Sequence, residues 1–477
     1  MSKAASPHTL VWLRDDLRLA DNPALYAAVQ TALAQGGKIL AVYILDENLG
    51  NAARWWLHHS LSRLADDLAA RRGALVLKRG DPAVIIPALA HAAGAGAVHA
   101  ARSFTPGLRA ADRAVDAALK PLNIAFHRHL SVSLFAPERI VTKAGGPYGV
   151  YTPFSKACFE AGVSTEHLPA PEHIPGLTGM TGEALDDWHL LPTNPDWAGG
   201  LRASWTPGEA GAEAALARFL AGPVQDYDEA RNLPGKPGTS RLSPHVRFGE
   251  ISPRAVFQRA SACGQSKGVQ VFLKELLWRE FSINLLWQHP DLRRVPIRPE
   301  FNKFPWAEAP DALRAWQRGQ TGVPIVDAGM RELWRTGWMH NRVRMICASF
   351  LVKHLLIPWQ AGEAWFWDTL CEADEAANAA SWQWVAGCGA DAAPYFRIFN
   401  PVLQGQKFDG DGTYVREFVP EIAKLPDKYL HCPWEADEKI LTNAGVRLGR
   451  TYPHPIIPLS EGRNNALKAY ERMKLGR

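Results

Sequence analysis

Cysteine is scarce: six residues, at 158, 263, 347, 371, 388 and 432 of a 477-residue chain. No C-x-x-C pair or His-x-His cluster joins them, so neither a metal site nor a disulfide framework is expected. They read as reduced, buried thiols of a cytoplasmic protein. No apolar run reaches the roughly 18 residues of a membrane span, and the opening MSKAASPHTLVWLRDD lacks the apolar stretch of a secretory leader. Neither sign of charge dominates. The formal net charge of +5 permits a polyanionic partner without demanding one. The first strand-to-helix turn, LRDDLRLADNP, lacks G-x-G-x-x-G, so no dinucleotide is placed on it, though another crevice ligand stays open.

Tryptophan is plentiful. Eleven of the eighteen lie between Trp278 and Trp384, a density that makes base stacking, flavin contact or electron transfer live options beside packing.

The first 130 residues alternate short apolar runs with amphipathic stretches. Thr9 to Leu13, Lys38 to Leu45, Leu75 to Leu77, the run around Val98, and Ile124 to Phe126 read as buried strands. Asp21 or Asn22 before Pro23, and Asp81 before Pro82, read as helix caps, and Gly36 and Gly37 as a stop. This predicts a doubly wound parallel sheet covered on both faces, an α/β domain over 1–130. Eight prolines interrupt 131–202, which reads as a long connector without a domain of its own. From 203 to 477 the pattern is helical, with Ser243-Pro244 and Ser252-Pro253 as cap signatures.

Four stretches can carry chemistry. In KPGTSRLSPHVRF, Thr239, Ser240 and Ser243 offer hydroxyl and backbone donors before a helix, where a phosphate is favoured; a plain cap explains them as well. In KELLWREF, Glu275, Trp278 and Arg279 share about one helical turn. Glu275 and Arg279 have the spacing of a surface ion pair, while an indole beside a carboxylate can also read a base. In GWMHNRVRM, helical spacing puts Trp338, Asn341 and Met345 on one face, and a buried Asn341 would need a polar partner. In EADEAANAASWQW, acids lead into an alanine-rich helix bearing Asn378, Trp382 and Trp384, which is either packing or a surface for a flat heterocycle.

Together with PIVDAGMREL, YFRIFNP and LVWLRDDLRLADNPAL, these motifs resemble the photolyase and cryptochrome family over nearly the whole chain. WWLHHSL and the C-terminal half look most like its third class of cyclobutane pyrimidine dimer photolyases, related to plant cryptochromes. The resemblance implies a helical FAD-binding domain. The FAD phosphates would meet Thr239, Ser240, Leu242 and Ser243, with Tyr227, Arg241 and Arg279 also in the cofactor site. Arg344, linked to Glu372, and Asp374 would flank the isoalloxazine, and Asn378 would face N5, where a neutral amide accepts from N5–H without adding charge. Light would drive an electron from reduced FAD to a pyrimidine dimer flipped out of DNA. Glu275 and Asn341 would bond the pyrimidine edges, Met345 would pack against them, Trp278 and Trp384 would form stacking walls, and Arg342 and Arg397 would hold phosphates. Trp382, Trp359 and Trp306 match the family's chain of electron-passing indoles.

Glu372 stands where the family usually has Asp, which implies a looser link to Arg344. Gly107 and Leu108 replace the Asn and Glu of folate-binding relatives of the first class. The antenna implied is 5,10-methenyltetrahydrofolate held near Trp55 and His58, or alternatively a deazaflavin. The rival readings are a (6-4) photolyase, which needs a histidine acid near the lesion, a blue-light cryptochrome receptor, and a nucleotide binder without photochemistry. Asn378, Met345 and a chain that ends soon after its last helix favour dimer repair. The partner expected is dimer-containing DNA, with no membrane and no obligate protein partner, so the chain is expected to be a monomer.

Overall fold

The computed structural model describes residues 7–476; the first six residues of the opening read above for a leader lie outside these. The chain divides into two compact units. The first comprises Met1–Ala198, Trp205–Gly222 and Ser240–Pro290; the second comprises Gly199–Ser204, Pro223–Thr239 and Asp291–Arg477.

In the first unit, four largely apolar runs form β1 (His8–Leu13), β2 (Ile39–Ile44), β3 (Leu75–Lys78) and β4 (Ala95–Ala101), while β5 (Ala125–His129), expected to be buried, is the mostly exposed edge strand AFHRH. They lie in the order β3-β2-β1-β4-β5, every neighbour pair parallel. Helices α1 (Pro23–Gln35), α2 (Asn51–Ala70), α3 (Pro82–Ala92) and α4 (Pro106–Leu119) follow the first four strands in turn. Leu10, Leu40 and Val98 stand in register and pack with Ile86, Ala90, Val115 and Leu119. The alternate residues Val11, Leu13, Ala41 and Tyr43 are buried too. Both faces are therefore covered, as continuous apolar strands require.

The caps follow local chemistry. Asn22 accepts from the amide of Leu25, Asp81 from that of Ala83, and Gly36 ends α1 in the left-handed region at φ 65°. Of the two cap candidates before α1, Asp21 instead pairs with Arg254. The proline-rich stretch 131–202 is less bare than its composition suggests. It holds α5 (Tyr151–Ala161), which buries Tyr151, Phe154, Ser155 and Cys158. Pro153 falls in the first turn, where no intrahelical donor is lost. Further on, Pro175 O accepts from Ile39 N and Ile39 O from Leu177 N, both at 2.8 Å, alongside β2.

The second unit is helical. Its core joins Trp316, Val343, Leu351, Trp359, Phe366 and Trp382. Among the described residues, no helix is long and apolar enough to cross a membrane.

Candidate functional site

In the first unit, the helix Lys267–Gln288 starts at Ser266, whose Oγ accepts from Val269 N. It buries Phe272, Leu273, Leu277 and Phe281 and leaves Glu275, Trp278 and Arg279 half-buried. One face of the Trp278 indole is covered by Tyr151, with ring centres 3.6 Å apart and planes 6° from parallel. The Tyr151 hydroxyl donates to Lys274 O at 2.7 Å, which fixes the stack. Arg279 does not take the expected partner. It lies 3.4 Å from Glu280, the next residue, and not on Glu275. Glu280 is buried and accepts from the amides of Leu134 and Phe135 at 3.0 and 3.3 Å. Burial pushes its carboxyl up to about 7, against the pull of Arg279 and the two amides.

The hydroxyl segment departs from its expected geometry. Ser243 is the first residue of a five-residue helix, Ser243–Arg247, and not its cap; the cap position is Leu242, without a side-chain bond. So short a helix contributes little dipole, and the exposed Ser243 and half-buried Ser240 remain as hydroxyl donors. Arg241 is held at φ 51°, a region uncommon for residues other than glycine, with its guanidinium 4.4 Å from the Trp205 ring centre. Beneath this segment, His245 and Glu250 meet at 2.5 Å, and Trp56 Nε1 donates to the same carboxylate at 2.9 Å. Also in this unit, Trp55 is buried and half-buried His58 sits three residues on; Trp55 Nε1 and His58 Nδ1 are buried without a hydrogen-bond partner.

In the second unit, the helix Asn341–Ser349 begins one residue after its cap, His340. Trp338 therefore precedes the helix and does not share its face with Asn341 and Met345. Asn341 is exposed and Met345 half-buried, so the amide needs no internal partner. His340 Nδ1 accepts from Arg342 N at 3.3 Å, and the backbone amide of His340 donates at 3.1 Å to Glu332, which also accepts from the Tyr414 hydroxyl at 2.6 Å. Burial, with Arg344 and Arg342 adding to it, pushes the imidazole down to about 4, which keeps it a neutral acceptor. Arg342 donates to Asn232 Oδ1 at 2.8 Å and lies 3.9 Å from Met345 Sδ.

Arg344 donates to Met339 O at 2.6 Å and pairs directly with Glu372, so the longer side chain does not loosen the link. The other Glu372 oxygen, Oε2, is buried without a partner. Asp374 caps the helix Glu375–Ala386, accepting from Ala377 N at 2.7 Å. On that helix the Asn378 amide nitrogen donates to Glu363 O and Oε1 at 3.1 and 2.9 Å, which turns its carbonyl oxygen away from Glu363. Arg293 grips the same carboxylate with two bonds, 2.8 and 3.2 Å, and lies over Trp367. Gln383 locks the helix from behind by donating to Leu292 O and Val295 O at 2.7 and 2.9 Å.

Trp382 and Trp359 are buried and Trp306 is half-buried. Trp382 touches the rings of Trp316 and Phe366, and Trp306 that of Phe304; among the described residues no ring contact joins two of the three. Gly362 is required here, because a Cβ would lie 2.1 Å from Trp382 Cη2. Trp384 and Thr239 are half-buried, Tyr227 is buried and Arg397 exposed. Sequence reasoning missed Glu280, Glu363 and Arg293. Glu363 is a carboxylate in the otherwise largely apolar run WQAGEAWFW, and a charge that apolar neighbours would bury was the available signal.

The sequence profile described as DNA photolyase matches residues 9–172, and that described as FAD binding domain of DNA photolyase matches 272–472. The chain is 48% identical to a deoxyribodipyrimidine photo-lyase of Agrobacterium fabrum, covering 99% of each chain. It is 33% identical to cryptochrome-1 of Arabidopsis thaliana, over 98% of this chain and 70% of that one. A crystal structure of a bacterial class III photolyase from Agrobacterium tumefaciens superposes with a TM-score of 0.96 at 47% identity, covering 99% of each. A whole-chain match at that identity, with both profiles in order, places the protein in the photolyase and cryptochrome family.

Proposed function

We propose that the protein repairs cyclobutane pyrimidine dimers in DNA under light, using bound FAD. The observation that carries this reading is the Asn378 amide. Glu363 takes both of its donor contacts and Arg293 holds Glu363, so a neutral acceptor oxygen is presented on an alanine-lined helix. The buried, unpartnered Glu372 Oε2 beside Arg344 fits the same group, since a flavin ring carries N–H and C=O edges. When bound in reduced form and excited by light, FAD supplies the electron that opens the cyclobutane ring and takes it back afterwards.

The chain's own residues bind and orient. Arg344, Asp374 and Asn378 would hold the isoalloxazine, with Glu372 fixing Arg344. Tyr227, Thr239, Ser240, Arg241, Leu242, Ser243 and Arg279 would hold the rest of FAD. Trp278, braced on one face by Tyr151, offers the other to a pyrimidine, with Trp384 as the second wall. Glu275 and Asn341 would bond the pyrimidine edges, and Met345 would pack against them. Arg342 and Arg397 would neutralise phosphates, so affinity falls as salt rises. Trp382, Trp359 and Trp306 would carry electrons to oxidised FAD. The neutral, capping role of His340 speaks against a histidine acid and hence against (6-4) chemistry.

The unpartnered Trp55 Nε1 and His58 Nδ1 support a polar antenna there, in our reading 5,10-methenyltetrahydrofolate. Six free thiols suit a monomer working on DNA in the cytoplasm.

The test is repair of a thymine-dimer oligonucleotide by chemically reduced protein under blue or near-ultraviolet light, with a dark control and an Asn341→His variant. Light-dependent loss of dimers that the variant lacks is expected. Light-driven flavin reduction without repair would make the protein a receptor instead.

A further inference from the structure

The helix Asn341–Ser349 does not stop cleanly. It runs on into one π-helical turn, Phe350–His354, closed by Leu355 N bonding to Phe350 O at 3.1 Å. Such single turns are frequent at functional sites. This one places Lys353 inside the protein at 1% exposure, where lysine is almost never found unless paired. Its Nζ donates to a backbone carbonyl, Arg397 O, at 2.9 Å, and lies 5.3 Å from the Tyr395 ring centre. Burial, with nearby Arg397 adding to it, pushes the amine down to about 7.

The segment it holds is a tight surface turn. Arg397 N bonds to Pro394 O and Ile398 N to Phe396 O. Tyr395 is buried and stacks on Tyr470 at 4.9 Å, and Phe399 N bonds to Ser349 Oγ at 3.4 Å, at the last turn before the π-helical one. Between these anchors Phe396 is 64% exposed and Arg397 faces solvent. One continuous helix thus carries Asn341, Arg342 and Met345 at its start and grips the Arg397 turn at its end.

We propose that Lys353 is a positioning residue for nucleic-acid binding, fixing the Arg397 turn in register with the face that carries Asn341 and Met345. This rests on the reading of Arg397 as a phosphate contact. A buried hydrogen bond to the turn's backbone sets where that guanidinium starts from, and a turn without it samples other positions before each encounter.

The test compares wild type, Lys353→Met and Lys353→Gln, each alone and with Arg397→Ala, on a thymine-dimer oligonucleotide. Lys353→Met is expected to raise Kd and KM about tenfold, with kcat at saturating DNA, FAD content and Tm unchanged. Lys353→Gln, which keeps a donor, is expected to recover part of the affinity. With Arg397 already removed, neither substitution should cost more, because the two act as a unit. Unchanged affinity, fully additive losses, or loss of FAD and Tm in both variants would each overturn the proposal. Failure of the underlying reading shows separately, as absent dimer binding or repair in the wild type.

Discussion

Two stretches of this chain look alike in sequence and behave differently in the fold. LRDDLRLADN, after β1, and the strip from Glu372 to Asn378 with Arg344 both mix arginine, acids and an asparagine. In the first, Arg18 is consumed inside, although Arg14 Nε and Nη2 and Asp16 Oδ2 are buried without a hydrogen-bond partner. Arg18, 1% exposed, donates to Ala20 O, Asp21 O, Gly249 O and Ser131 Oγ. Asn22 donates to Asp16 O and Arg18 O, and Arg14 pairs with Asp112, both nearly fully buried. In the second, Arg344 is held by Met339 O and Glu372, its side chain is 24% exposed, and Glu372 Oε2 is left buried without a partner. Residue type does not separate a structural lock from a ligand site. What separates Arg18 from Arg344 is how many protein acceptors hold the guanidinium and how completely it is buried.

Removing an arginine from each stretch is the strongest way to break that contrast. Arg18→Met should cost roughly 3–5 kcal/mol, because five protein acceptors, Ser131 O among them, lose a buried cation. Arg344→Met should cost less, about 1–3 kcal/mol, because Arg344 is 24% exposed but its loss leaves the buried Glu372 carboxylate without its partner, yet should shed FAD. Urea unfolding of the apoproteins and flavin content of the purified variants read the two effects. Equal losses of stability would show that both stretches are locks.

Glu280 lies between the two cases, sealed like Arg18 but next to Arg279 on the Trp278 helix. Its carboxyl is raised from 4.5 to about 7 in the fold. Between those values the native state holds a proton that the unfolded chain releases, so stability is fully present below about 4.5 and falls as pH rises through 7. Glu280→Gln keeps an acceptor for Leu134 N and Phe135 N without the charge. It should flatten that slope and raise the midpoint of urea unfolding at pH 8 by the equivalent of a few kcal/mol at most. A slope that survives the substitution would place the titration elsewhere.

How far the sequence could be read follows the same division. The parallel sheet and the caps at Asn22, Asp81 and Ser252 were legible, because strand runs and caps are local. The connector's helix α5 was hidden by Pro153, which a first turn tolerates. Trp338 was assigned to the wrong side of a helix start because His340 caps it, and histidine is not a strong cap signal. The site motifs stood out by their resemblance to a family, but their bracing did not. Asn378 and Glu363 are fifteen residues apart, Arg293 and Glu363 seventy, and Lys353 and Arg397 forty-four. No helical or strand period links such pairs, so only the fold could join them.

The smallest expected effect is at Glu372, whose side chain is one methylene longer than aspartate. The structure uses that length to bring the carboxylate onto Arg344 while leaving Oε2 over. Glu372→Asp should draw the carboxylate back, weaken the pair and leave Arg344 held chiefly by Met339 O. A partly solvated ion pair is worth about 1 kcal/mol or less, so urea unfolding of the apoprotein should hardly move. FAD loss on dilution, followed by the rise in flavin fluorescence, should quicken by no more than about tenfold, the rate equivalent of 1.4 kcal/mol. A large fall in stability would mean that Glu372 belongs with Arg18 among the locks. An unchanged rate would mean that Met339 O alone is enough to aim Arg344, and the leftover oxygen would lose its place in the cofactor site.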